Sequence, residues 1–353
     1  MRNKILVTGA GGFIGHHMVK FLKKKDFWVR GVDIKRPEFE HSSADEFLVL
    51  DLREKNNAIL ATKGIDYVYN FAANMGGIAF IETVHAEIMR DNVLINTHLL
   101  EASLINKIKK FFFASSACIY PRYKQQDEDI SGLREYDAYP ADPDNEYGWE
   151  KLFTERLCLN YWKDFGLETR VARFHNVYGP LGTWQGGREK SPAALCRKIA
   201  LAKDGGEIEV WGDGNQTRSY CYVDDCIEGV YKLMSLDIRK PINIGSDRLV
   251  SINELIEIIS KIAGKTIKKR YDLTKPQGVR GRNSNNDLLR YLLDWEPGIL
   301  LEEGLKQTYF WIESQIEEGK LIKPTANGED KLKGSGSSEQ SRPVRGKKMM
   351  HVL

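Results

Sequence analysis

Residues 4–33 constrain the fold more than any other stretch. Lys4-Ile5-Leu6-Val7-Thr8 reads as a buried strand that runs directly into Gly9-Ala10-Gly11-Gly12-Phe13-Ile14-Gly15. Met18, Val19, Phe21 and Leu22 then recur at helical spacing. A strand, a glycine turn and a helix in this order make a pyrophosphate site. Gly9, Gly12 and Gly15 allow the tight turn and the close backbone approach, and the helix opening at Phe13 and Ile14 offers free N–H groups to phosphate oxygens. Trp28-Val29-Arg30-Gly31-Val32-Asp33 is a second strand ending in an acid. It lies roughly twenty residues on, where a carboxylate takes the ribose hydroxyls of NAD and repels a 2′-phosphate. Lys35 and Arg36 leave NADP open. The pattern predicts an α/β fold, a Rossmann-like doubly wound parallel sheet. After a third strand, Glu46 to Leu50, Asp51-Leu52 fits a loop beside the adenine.

The chain has 353 residues, enough for one large domain or two unequal ones. Its five cysteines, at 118, 158, 196, 221 and 226, form no Cys-x-x-Cys pair, which predicts a reducing, cytoplasmic setting. No run is long and apolar enough for a membrane span, and the histidines show no metal-ligand spacing, so neither membrane nor metal is expected. The formal charge of +3 arises wholly from residues 324–353, which carry six Lys and Arg against three Asp and Glu. A neutral remainder gives no basic face for nucleic acid.

Two further strand ends point at chemistry. Tyr67 to Ala73 runs into Asn74-Met75-Gly76-Gly77, where paired glycines let a ligand approach the backbone. Long helical material follows from Ile81 to Leu104, with Asn92 and Asn96 on one face. Phe113-Ala114-Ser115-Ser116-Ala117-Cys118-Ile119-Tyr120-Pro121 is an apolar strand ending in two hydroxyls and a thiol. In open α/β sheets ligands sit outside such carboxyl ends. Tyr147 and Lys151 stand four apart in a helical pattern, on one face. A phenol, with a reference pKa near 10, needs a neighbouring cation to act as a base at neutral pH, and Lys151 supplies one.

The glycine triplet, Asp33, Ser116 and Tyr147/Lys151, in this order and spacing, resemble the extended short-chain dehydrogenase/reductase superfamily in its branch of nucleotide-sugar epimerases and dehydratases. Ala72 to Gly77, Ser115 to Pro121, Arg173 to Pro180, Gly182 to Lys190 and Gly278 to Ser284 are similar to the group of that branch that inverts GDP-mannose at C3 and C5. The resemblance covers residues 1 to about 320. It implies NAD as cofactor, GDP-mannose as substrate, a transient 4-ketone, and GDP-L-galactose as product with GDP-L-gulose possible at C5 alone. It also implies a homodimer, and a product that serves ascorbate or polysaccharide supply. Tyr147 is then the redox acid/base, Lys151 its tuner and a ribose ligand, and Ser116 a hydrogen-bond partner of the C4 oxygen. Cys118 and Lys190 form the epimerising pair. Where the 4,6-dehydratases carry an Asp-Glu pair this chain has Ala117-Cys118, which disfavours loss of a hydroxyl. A C4 epimerase of another nucleotide sugar and a non-catalytic NAD-binding regulator are the alternatives.

The resemblance further assigns Met75, Gly76, Asn176, Arg188 and Glu189 to the sugar pocket, and Lys198, Arg218 and Arg280 to the substrate diphosphate. His175 reads as a hydrogen-bonded structural residue. The expected division is an NAD-binding domain over 1–175, rejoined by segments at about 215–245, a smaller mixed α/β substrate-binding lobe over 176–323, and a disordered tail over 324–353. Ile252 to Ile262 and Leu301 to Ile316 carry helical periodicity.

Overall fold

The computed structural model describes residues 3–321. The expectation for 324–353 lies outside the described residues. Six strands run through the first half, with helices between all of them except the second and third. They are β1 (Lys4–Thr8), β2 (Trp28–Asp33), β3 (Glu46–Val49), β4 (Tyr67–Asn70), β5 (Lys110–Ser116) and β6 (Glu168–Phe174). With a seventh strand, Ile242–Ile244, they form one sheet in the order Ile242–Ile244, β6, β5, β4, β1, β2, β3. Every pairing in it is parallel.

Between β1 and β4 the strand order reverses, so the carboxyl ends of these strands flank a crevice. Both faces of the sheet are covered, which is why its strands read as continuous apolar runs. Leu6, Val68, Phe111, Phe113 and Val171 belong to a single buried cluster with Leu99 and Cys158 of the helices. The helices that position the site are α1 (Phe13–Lys24), α2 (Lys55–Thr62), α3 (Ile78–Ile81), α4 (Ala86–Ile105), α5 (Glu146–Phe165) and α6 (Ser191–Leu201).

The helical run expected from Ile81 onward is interrupted: α3 ends at Ile81 and α4 begins at Ala86. Asn92 and Asn96 are both buried against α5, donating to the Glu150 carboxylate at 2.8 Å and the Thr154 hydroxyl at 3.3 Å. The C-terminal helix Leu301–Glu317 buries Leu305, Tyr309 and Ile312 and packs on α6 and on helix Ile252–Ala263. Strand Ile242–Ile244 lies beside β6, and the described residues up to Lys320 form one compact unit.

Candidate active site

The glycine turn forms a cradle with no room for side chains. A Cβ on Gly9, whose φ is +68°, would lie 2.8 Å from the Phe71 carbonyl carbon; on Gly15 it would lie 2.1 Å from the Gly9 oxygen. Gly11, which the triplet spacing does not single out, is equally tight, 2.1 Å from the Lys35 oxygen. Helix α1 starts at Gly12 with no side-chain cap, so nothing competes with an anion for its first N–H groups. Phe13 lines the cleft beside the turn and sits edge-on to His17. Asp33 lies beside the turn: its carboxylate accepts the Gly11 N–H at 3.0 Å and the Lys35 N–H at 3.2 Å, and burial raises its pKa. A crowded glycine turn, an uncapped helix start including Ile14, and an acid at the end of β2 fit NAD.

Asp51 is held by Arg53, whose guanidinium donates to it at 2.6 Å, and the Leu52 side chain belongs to the core under the sheet.

At the far end of β5 the chain enters a 3₁₀ turn, Ala117–Ile119, capped by Ser116. The Ser116 hydroxyl oxygen accepts the Cys118 N–H at 3.1 Å and also hydrogen-bonds to Tyr147. Ser116, Ala117 and Cys118 all line a cavity of about 330 Å³, and Ala117, 3% exposed, also packs in the core. Tyr147 is buried on the first turn of α5. Burial pushes its hydroxyl well above the usual value, the Glu150 and Cys118 charges push the same way, and the Ser116 hydrogen bond opposes them. The Lys151 ammonium lies 5.3 Å from the Tyr147 ring centre and 4.7 Å from that of Phe113. It is also 3.7 Å from the Glu150 carboxylate, which is itself buried and raised in pKa by that burial.

The same cavity gathers Met75, Gly76, Asn176, Glu189, Lys190, Lys198 and Arg218. Lys190 immediately precedes α6; burial lowers its pKa and the charge of Cys118 partly opposes that. Asn176 adopts a φ of +41° and donates its amide to the Ser219 carbonyl at 2.9 Å. Glu189 accepts from Arg197 at 2.8 Å and from the Gly187 N–H at 2.7 Å. Burial pushes the Arg218 guanidinium down to about 10, and the neighbouring Arg282 charge adds to that shift. The Lys198 ammonium donates to the Glu209 carbonyl at 2.8 Å.

Two expected residues do not join them. The Arg280 guanidinium is taken up by Asp213 at 2.8 and 2.9 Å and by Glu128 at 2.5 Å, and these ion pairs draw it away from the cavity. Arg188 is exposed, and its guanidinium stacks 3.8 Å from the Phe80 ring centre. Arg282, which the sequence reading does not single out, lines the cavity instead. It donates to the Cys118 sulfur at 3.3 Å, to the Asp144 carboxylate at 3.0 Å and to the Gln125 amide oxygen at 2.6 Å. It falls in the same Gly-Val-Arg-Gly-Arg run, and that run is the signal that could have found it. His175 is fully buried; burial pushes its pKa down to about 3, and it hydrogen-bonds to Asn243, as a structural residue does. Among the described residues no cluster of His, Cys, Asp and Glu suits a metal ion, and no helix is long and apolar enough to cross a membrane.

A profile of the NAD dependent epimerase/dehydratase family matches residues 5–245. The GDP-mannose 3,5-epimerase of Arabidopsis thaliana is 50% identical over 319 residues, which is 90% of this chain and 84% of that relative. Among solved structures, a UDP-glucose 4-epimerase of Thermotoga maritima, with UDP-glucose, superposes with a TM-score of 0.80 at 26% identity, covering 89% of this chain and 99% of that one. A UDP-glucuronic acid 4-epimerase of Bacillus cereus, in complex with UDP-glucuronic acid and NAD, gives 0.74 at 27% identity, covering 88% and 99%.

Proposed function

The chain belongs to the NAD dependent epimerase/dehydratase family, and from that premise we propose that it is an NAD-dependent isomerase that epimerises GDP-mannose at C3 and C5 through a transient 4-ketone. One observation carries the reading. A single strand end offers a hydroxyl hydrogen-bonded to a buried tyrosine and, two residues on, a thiol in contact with a guanidinium.

NAD held by the glycine turn and Asp33 supplies a reversible two-electron acceptor for C4. Tyr147 takes the C4 hydroxyl proton and later returns it, with Ser116 fixing the oxygen and Lys151 lowering the cost of the phenolate. The ketone acidifies the hydrogens at C3 and C5. Cys118 and Lys190 then exchange protons there, since a thiol and an ammonium need modest pKa depression to do so near neutrality. Burial gives Lys190 a shift in that direction. Lys198 and Arg218 meet the diphosphate, Arg218 as a bidentate partner. The products are GDP-L-galactose and, by inversion at C5 alone, GDP-L-gulose. We place the enzyme in the cytoplasm, in keeping with five free cysteines, and assign it a homodimeric state.

Incubation with GDP-mannose in D₂O, followed by NMR of the sugar, tests this. Deuterium at C5 and C3 is expected. An unchanged sugar with label at neither carbon would refute the epimerase reading, and inversion at C4 without label would replace it with a C4 epimerase.

A further inference from the structure

Arg282 is held from three sides. Its Nε donates to Gln125 Oε1 at 2.6 Å, one terminal nitrogen donates to Asp144 Oδ2 at 3.0 Å, and the other reaches Cys118 Sγ at 3.3 Å. Gln125 is 1% exposed, and its own amide donates to the carbonyls of Tyr120 and Pro121, at 2.9 and 3.2 Å, on the turn that carries Cys118. The guanidinium is therefore braced to the backbone it serves. Asp144 lines the substrate cavity, its side chain 12% exposed, and its Oδ1 is buried without a hydrogen-bond partner among the described residues. A carboxylate with one satisfied and one orphaned oxygen, set against the only cation among the described residues in hydrogen-bond contact with the thiol, is more than a structural ion pair requires.

We propose that Asp144 is a positioning residue for the proton chemistry at Cys118: it holds Arg282 against the sulfur and, by sharing the guanidinium charge, sets how readily the thiol ionises. This deepens the epimerase reading and rests on it for the role of Cys118. An arginine devoted to the thiol alone would hold it as a thiolate too weakly basic to take a proton from the sugar. Competition from Asp144 keeps the thiol able to act in both directions. The other groups facing Cys118 are Lys190 before α6, Arg218 on strand Thr217–Ser219 and Tyr147 on α5.

The pH dependence of Cys118 alkylation by iodoacetamide, read by peptide mass spectrometry on the full chain, tests the proposal. Among the five free cysteines only Cys118 is not buried. Asp144→Asn keeps the shape and an acceptor but removes the charge, and the alkylation midpoint is expected to fall by about one pH unit. An unmoved midpoint overturns the proposal. Arg282→Gln is expected to raise the midpoint and to abolish the effect of Asp144→Asn in the double variant. An equal fall with and without Arg282 would overturn the positioning route. The pH profile of deuterium exchange into GDP-mannose is expected to shift with the alkylation midpoint. If the unaltered protein exchanges nothing while the midpoints move as described, the epimerase reading fails and the charge relation stands.

Discussion

Gly77→Ala is expected to disable the Lys190 side of the site while sparing the Tyr147 side. A Cβ at this position would lie 2.3 Å from the Glu189 carbonyl oxygen, against 3.4 Å for an ordinary contact, so the two loops must part by about 1 Å. The Gly77 N–H donates to the Arg188 carbonyl at 2.9 Å, and a displacement of that size breaks the bond. Overpacking of this kind costs about 1–3 kcal/mol, and the lost hydrogen bond about 0.5–1.5 kcal/mol of the same total. Lys190, which we propose as a proton carrier, follows Glu189 directly, and a shift of about 1 Å in a reacting group lowers a rate roughly 100-fold. Deuterium wash-in at C3 and C5 should therefore fall about 100-fold. Cofactor reduction in a single turnover, followed near 340 nm, should stay within about threefold, because Ser116 and Tyr147 are borne by β5 and α5. Exchange within about threefold of the unaltered protein would refute the reasoning, since it would mean that the loop holding Lys190 either yields freely or does not carry the proton.

Glu155 and Arg173 form a buried pair at 2.7 Å, with side chains 4% and 3% exposed, and Glu155 also accepts the Ser115 hydroxyl at 2.5 Å. Glu155→Gln leaves the guanidinium uncompensated and should cost about 3–5 kcal/mol in urea denaturation at fixed NAD; a loss under about 1 kcal/mol would show that the pair is not what holds this end of the sheet. His175 gives a pH dependence of known sign. Burial depresses its pKa from 6.5 to about 3, so the folded chain binds fewer protons than the unfolded one in that window. The stability from keeping it neutral is present in full above pH 6.5 and falls by about 1.4 kcal/mol per unit below it. His175→Gln should remove this slope, measured by urea denaturation at about pH 7 and pH 5.5, and an unchanged slope would place the acid sensitivity elsewhere.

What the sequence made legible is what short-range geometry determines. The turn from β1 into α1 and the acid ending β2 are set by neighbours within thirty residues, and Tyr147 and Lys151 share a face because helices repeat every 3.6 residues. Asn92 and Asn96 share one face for the same reason, although no sequence pattern shows their partners on α5. Contacts that close over long separations were hidden. Cys118 and Arg282 are 164 residues apart, and no periodicity relates them. Arg280 and Arg282 are chemically alike, and what separates them is the position of Asp213 and Glu128, a fact of tertiary placement. Gly11 escaped the triplet spacing because its constraint comes from the Lys35 carbonyl on the far side of β2.

The strand end also explains how one short segment serves two kinds of chemistry. Ser116 ends β5 and Cys118 lies on the 3₁₀ turn that follows, and both side chains line the same cavity, with the buried Ala117 between them. Because the Cys118 N–H donates to the Ser116 oxygen, the hydroxyl that hydrogen-bonds Tyr147 also fixes the backbone of the thiol. The groups we propose for the redox step and for proton transfer are thus spaced by one hydrogen bond rather than by two independent loops. On the proposed roles, a substitution at Cys118 is expected to remove proton exchange alone, whereas a substitution at Ser116 is expected to disturb both steps. That coupling suits a reaction in which a single sugar ring has to be oxidised, inverted and reduced without being released.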